Sequence, residues 1–126
     1  MNTIIYTRVS TDEQAEKGFS LRHQKQVLQT YCSINKIKII KHFEEDFSAK
    51  NFNRPEWKKL MDFVTKNKHQ IDKILFTKWD RFSRNSDESR DVIRKLKTLG
   101  IEVNSIEQPL DLSIPNNKLI LSMYLM

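Results

Sequence analysis

The chain is 126 residues long, 38% hydrophobic and 30% charged. That is enough for one globular domain with an ordinary apolar core, and it is neither a disordered nor a fibrous composition. It carries 22 Lys and Arg against 16 Asp and Glu, a formal charge of +6, which favours a polyanionic partner. No apolar run approaches the roughly 20 residues that span a bilayer, and Met1 leads into a polar start instead of a secretory leader. The single cysteine, Cys32, excludes an internal disulfide, and no Cys/His cluster has zinc spacing. A cytoplasmic chain with no membrane span, cofactor or structural metal is expected.

Thr3–Arg8 is short, β-branched and aromatic-rich, and reads as a strand. Leu21, Gln24, Val27, Leu28, Tyr31 and Cys32 then recur at helical spacing, predicting an amphipathic helix over Ser20–Asn35. A second strand is expected at Ile37–Phe43. Pro55 suits the first turn of a helix whose apolar stripe is Trp57, Leu60, Met61 and Val64. Ile71–Phe76 is the third expected strand. Val92, Ile93, Leu96 and Leu99 mark a helix closed by Gly100, and Ile101–Ile106 is a fourth strand. After a Pro-bearing loop, Leu119, Ile120, Met123 and Tyr124 begin a last helix near residue 116, and the chain stops at Met126 inside it.

Strands alternating with helices predict an α/β fold, a mainly parallel sheet of four to five strands with helices on both faces. Such sheets place their active groups beyond the carboxyl ends of the strands. Three segments qualify: those after Arg8, after Phe43 and after Phe76.

Alternation along the first strand puts Tyr6, Arg8 and Ser10 on one side, so an arginine and a hydroxyl leave the strand tip together. Ser10 with Glu13 also has the spacing of a helix capping box. Arg8 has no such ordinary reading, because a charge inside a buried parallel strand is costly unless it is paired or holds an anion. After the second strand come Glu44, Glu45, Asp46, Phe47 and Ser48, then Asn53 and Arg54 before Pro55. On pattern alone this is a solvated loop, with Asn53 capping the Pro55 helix. After the third strand, Lys78, Asp80, Arg81 and Arg84 lie within seven residues, and Asn85 with Glu88 can open the next helix. Several guanidiniums around one serine suit phosphoryl transfer better than peptide hydrolysis, which needs a histidine base. His23, His42 and His69 have no evident tie to Ser10, and the general base is left unassigned.

Three strings, YTRVSTDEQ from Tyr6, GFSLRHQ from Gly18 and WDRFSRN from Trp79, resemble the catalytic domain of serine site-specific recombinases, the resolvase/invertase family. GFSLRHQ, DFSAK from Asp46 and NRPEW from Asn53 are most similar to the large serine recombinases, the integrases and transposases of mobile elements. The resemblance implies a resolvase-like fold ending in the start of a long interface helix (about 116–126), with the whole chain an N-terminal catalytic domain lacking its DNA-binding domain. It implies that Ser10 attacks a DNA phosphodiester and becomes joined to the 5′ end, that Arg8, Arg81 and Arg84 grip the phosphate, and that Asp80 orients them. Tyr6, Gln14, Gln24, Asp46, Ser48, Arg54 and Lys78 align with supporting polar positions, Ser48 across a small gap. Double-stranded DNA is the implied partner, with dimers and tetramers in the full-length protein and a bacterial or mobile-element origin. The fragment itself is expected to bind duplex DNA weakly, with little sequence preference and steep salt dependence.

Two other classes compete. Glu44, Glu45, Asp46 and Asp80 near strand ends could hold magnesium in a metal-dependent nuclease. A non-catalytic doubly wound module, receiver-like or a resolvase-like association piece, is the other.

Overall fold

A computed structural model describes residues 1–9, 20–46 and 52–126. The elements run β1 (Asn2–Val9), α1 (Leu21–Ile34), β2 (Lys38–Asp46), α2 (Pro55–Lys66), β3 (Lys73–Phe76), α3 (Trp79–Phe82), α4 (Ser86–Thr98), β4 (Glu102–Ser105) and α5 (Pro115–Tyr124). The sheet has the order β2-β1-β3-β4, and every pairing is parallel. The chain steps from β1 to one side and then returns past it, so right-handed crossovers place α1 on one face and the other helices on the opposite face.

The core divides accordingly. Ile5 and Leu75 meet Leu28 and Cys32 under α1. Ile4, Tyr6, Phe43, Ile74, Phe76 and Val103 face Trp57, Leu60, Val64, Leu96 and Leu121 from α2, α4 and α5. The stripes read from the sequence for α2 and α4, and Leu28 and Cys32 of α1, are thus the ones that pack. The α5 stripe is not, since Leu119, Ile120, Met123 and Tyr124 are exposed and Leu121 and Leu125 are buried instead.

Most boundaries agree with the periodicity. Ser20 caps α1, its side chain accepting from the His23 N–H at 3.1 Å. Asn85 caps α4, accepting from Glu88 N–H at 3.0 Å. Gly100 ends α4 at φ +77°, with Ile101 N–H bonded to Leu96 O and Gly100 N–H to Lys97 O. That crossed pair of bonds needs a left-handed residue, which glycine supplies without strain.

Three expectations are corrected. β2 does not stop at Phe43 but continues through the acidic run to Asp46, paired with β1 as far as Val9↔Asp46. Asn53 does not cap α2: Arg54 occupies the cap position without a side-chain capping bond, and Glu45 on β2 accepts from the N–H groups of Glu56 and Trp57 in the first turn. The segment after β3 is not merely a loop, since Trp79–Phe82 forms one helical turn, α3. A single turn is not stable alone. Trp79 and Phe82 anchor it, both fully buried and packed on Phe76 with ring centroids 4.9 and 5.0 Å away. The Trp79 N–H groups donate to Gln108.

On α5, Leu119, Met123 and Tyr124 remain exposed while Leu121 is buried. Among the described residues no helix is long and apolar enough to cross a membrane.

Candidate functional site

The order β2-β1-β3-β4 reverses direction between β1 and β3, and crevices in open α/β sheets form at such switch points. Here the register of β1 gives that point a distinctive feature. Pairing of β1 with β3 ends at Ile5↔Leu75, whereas pairing with β2 runs on to Val9. The tip of β1 therefore projects beyond its β3 neighbour and needs other partners for its backbone on that side.

Side chains supply them. Gln24 from α1 accepts from the Arg8 N–H (3.1 Å) and donates through Nε2 to the Arg8 carbonyl (2.9 Å), as a neighbouring strand would. Arg81 Nη1 donates to the same carbonyl at 3.1 Å. In return, Arg8 Nε donates to the Arg81 carbonyl (3.0 Å) and Nη2 to the Asp80 carbonyl (2.9 Å). The strand tip and α3 are thus locked together by three guanidinium–carbonyl contacts, two from Arg8 and one from Arg81. Both arginines are almost wholly buried, at 1% and 2% exposure, and buried cations persist only where such partners exist.

Asp80 adds the orientation. Its Oδ1 accepts from Arg81 Nε at 3.1 Å, and its Oδ2 lies 3.7 Å from Arg84 Nη2. Arg84 is 55% exposed, so it stands at the mouth of the site while Arg8 and Arg81 form its floor. The spacing of α3 explains the division. Trp79 and Phe82, three apart, face the core, which turns Asp80 and Arg81 toward β1.

Next to this cluster on the same face of β1 lies a second one. Tyr6 Oη donates to Glu45 Oε1 and accepts from Arg54 Nη1, each at 3.1 Å. Arg54 stacks on Phe52 at 4.6 Å, and Tyr6 meets the edge of Trp57 at 5.2 Å. Burial pushes the Tyr6 phenol well above its ordinary value, with Arg54 opposing the shift and Glu45 adding to it. Tyr6 is a neutral hydrogen-bonding post here, not an acid or base.

Sequence reasoning named Glu45 only as a candidate metal ligand and missed its buried role. Its Oε1 accepts from Trp57 N–H at 2.8 Å and its Oε2 from Glu56 N–H at 3.1 Å. One carboxylate, 2% exposed, therefore caps α2 and holds Tyr6. Asp46, singled out from the sequence, is the exposed last residue of β2; the buried carboxylate on this side belongs to its neighbour. The available signal was alternation: with Phe43 inward, Glu45 is inward too.

The structure brings Arg8, Gln24, Asp80, Arg81 and Arg84 together, and joins Tyr6 and Arg54 to Glu45. Lys78 is exposed at the start of α3. Ser10, Gln14 and Ser48, together with the Ser10–Glu13 capping box, lie outside the described residues. Among the described residues no group of three or more His, Cys, Asp and Glu side chains could hold a metal ion.

A doubly wound parallel sheet with two buried arginines locked at its switch point defines the class of this α/β domain. Residues 3–126 match the family model for the resolvase N-terminal domain, and the chain belongs to that family. It is similar in structure to the N-terminal catalytic domain of TP901-1 integrase, with a TM-score of 0.83 and 27% identity, covering 98% of this chain and 91% of that one. A resolvase family site-specific recombinase from Streptococcus pneumoniae shares the fold at TM-score 0.77 and 23% identity, over 98% and 84% of the two chains. In sequence, the chain is 39% identical over 64 residues to immunity region protein 3 of Bacillus phage phi105, covering 50% of this chain and 78% of that protein.

Proposed function

We propose that the chain is the catalytic domain of a site-specific DNA recombinase that breaks and rejoins DNA through a covalent serine intermediate. The observation that carries this reading is the Arg8–Arg81–Asp80 lock at the end of β1, two residues before Ser10 in the chain. Ser10 Oγ attacks the scissile phosphorus and forms an O–P bond as the bond from phosphorus to the 3′ oxygen breaks. The 3′ hydroxyl leaves, and the 5′ phosphate stays on Ser10. Reversal with a new 3′ hydroxyl reseals the strand, and because the ester conserves the bond no ATP is required.

Arginine suits the phosphate-gripping role because its planar fork presents paired donors and stays charged near neutrality. Fixed donors in a partly dry site stabilise the extra negative charge of the transition state. Arg8 and Arg81 form the rigid part of this grip and Arg84 the exposed part, with Asp80 setting the direction of both α3 arginines. Tyr6, Glu45 and Arg54 hold the strand and α2 in place behind them. The resemblance also assigns supporting roles to Gln14, Asp46, Ser48 and Lys78, of which Asp46 and Lys78 are exposed.

The same reading takes double-stranded DNA as partner, a cytoplasmic setting, and dimers or tetramers of the longer protein. The exposed Leu119, Met123 and Tyr124 on α5 support α5 as a contact surface for such an interface. The nuclease alternative is less well supported, because two of its four carboxylates, Glu45 and Asp80, are occupied. Both oxygens of Glu45 accept N–H groups, and both oxygens of Asp80 face guanidiniums.

A nicked suicide substrate tests the proposal. In the presence of a chelator, the wild-type chain should leave protein attached to a DNA 5′ end, and Ser10→Ala should not. Cleavage abolished by the chelator and retained in Ser10→Ala would establish the metal-dependent route instead.

A further inference from the structure

Tyr6 and Arg8, either side of Thr7, are each held by side chains from neighbouring elements. Thr7 is wholly buried, and its hydroxyl lies 2.8 Å from Nε2 of His42 on β2. Alternation turns Thr7 away from Arg8, toward the face that α1 covers. The His42 side chain is 15% exposed, and its Nδ1 is 3.7 Å from Glu44 Oε1, beyond hydrogen-bond length. Lys25 of α1 is the other charged group acting on the ring. The reaction proposed above makes no use of this Thr7–His42–Glu44 group.

The geometry points to His42 as a positioning residue for Arg8, acting through the Thr7 hydroxyl. A buried hydroxyl needs a partner, and here the partner comes from the strand that pairs with β1 all the way to its tip. Bonding to His42 fixes the Thr7 side chain against β2, and with it the direction in which the next residue leaves the strand. Beyond Ile5 the tip has no β3 neighbour, and Gln24 replaces the missing ladder at Arg8. On the β2 edge, where the ladder is intact, His42 adds a side-chain clamp at Thr7. Small shifts of a phosphate-gripping group change rates far more than affinities, since about 1 Å of misplacement can cost about a hundredfold.

The clamp is also sensitive to protonation. A neutral ring either donates to or accepts from a hydroxyl, which turns to suit it. Protonation places a second donor at Nδ1 and a charge between α1 and the sheet. Glu44, near Nδ1, then competes with Thr7 for the charged ring, while burial and Lys25 oppose the charge.

The inference rests on Arg8 serving the proposed cleavage, and the test separates the two. Cleavage of a nicked duplex is followed from pH 5 to 8.5 for the full chain and for His42→Leu, His42→Gln and Thr7→Val. Glutamine reaches the Nε2 position but does not titrate, so His42→Gln should stay within about threefold of wild type at pH 8 and lose the acid limb of the profile. His42→Leu and Thr7→Val should each lose about tenfold or more in rate with DNA affinity unchanged. The double variant should be no worse than the worse single one, because both remove the same contact. Full activity in His42→Leu, or effects that multiply, would overturn the inference. Should His42→Leu fail to fold, Thr7→Val carries the decision. Amide exchange gives a readout independent of cleavage. The Arg8 N–H should exchange faster in Thr7→Val while Ile4 and Ile5 keep their protection, and an unchanged Arg8 amide would refute the role of His42. A wild-type chain that forms no adduct at all would overturn only the proposed reaction, with the exchange measurement still deciding the clamp.

Discussion

Replacing Glu45 by alanine tests whether one buried carboxylate joins α2 to the site. It removes the acceptor of three hydrogen bonds, from Trp57 N–H, Glu56 N–H and Tyr6 Oη, at a position 2% exposed. Losing a helix cap costs about 1 kcal/mol, up to about 2. Leaving the Trp57 N–H and the Tyr6 hydroxyl buried without an acceptor adds about 1–3 kcal/mol. Allowing for overlap between these terms, the sum is about 3 kcal/mol, which for a chain of this size lowers Tm by roughly 10 °C. Urea denaturation followed by circular dichroism measures it directly. Asp46→Ala, one residue along and exposed, should cost less than about 1 kcal/mol. The Glu45 variant should also weaken DNA cleavage through Tyr6 and Arg54, although Glu45 itself touches no substrate in this account. If Glu45→Ala is within about 0.5 kcal/mol of wild type, or if Asp46→Ala is the more damaging change, the assignment of the buried carboxylate is wrong.

The other predictions concern stability, pH and chemistry. Thr3 Oγ1 is buried without a hydrogen-bond partner, so Thr3→Val should raise unfolding free energy by about 1 kcal/mol in the same urea titration. Gly100→Ala meets no atom within 4 Å of the added Cβ, and only the φ of +77° opposes it; the expected cost is about 1 kcal/mol, read from the shift in Tm. Burial holds the His42 pKa below its ordinary 6.5, so between the lowered value and 6.5 the folded chain binds fewer protons than the unfolded one. Stability should therefore be full above pH 6.5 and decline on acidification through that window, and His42→Gln should remove this part of the slope. Arg81→Lys keeps the charge but loses the fork that reaches Asp80 and the Arg8 carbonyl at once. It should slow adduct formation by about a hundredfold or more, the scale of one lost transition-state donor, while leaving DNA affinity at fixed salt nearly unchanged.

The parts of this architecture that follow from local pattern were legible in the sequence. Apolar periodicity located each main helix, and for α1, α2 and α4 it marked residues that the core selects. On α5 it marked Leu119, Ile120, Met123 and Tyr124, which are exposed, while Leu121 and Leu125 are buried. The cluster Asp80, Arg81 and Arg84 was legible because it follows a strand, and strands of this fold end at the site. What escaped was everything carried by pairing across the sheet. The acidic run at Glu44–Asp46 looks like a loop because charge disfavours a strand. It is a strand because β1 pairs with it and the N-terminus of α2 receives Glu45. Gln24 could be placed by resemblance, but its grip on both backbone groups of Arg8 depends on β1 outrunning β3, a matter of register. His42 had no visible tie to the site for the same reason: its partner, Thr7, is 35 positions away. The one-turn α3 was hidden because its stability comes from the aromatic residues beneath it.

The central claim is that the hydroxyl of Ser10 is the group that takes up DNA phosphate beside Arg8 and Arg81. Mass spectrometry of the protease-digested adduct from a nicked duplex tests it most directly. The account predicts a nucleotide mass on the peptide containing Ser10, absent from Ser10→Ala and nearly absent from Arg81→Lys. A nucleotide on any other residue, or an equal yield from Ser10→Ala, would contradict it.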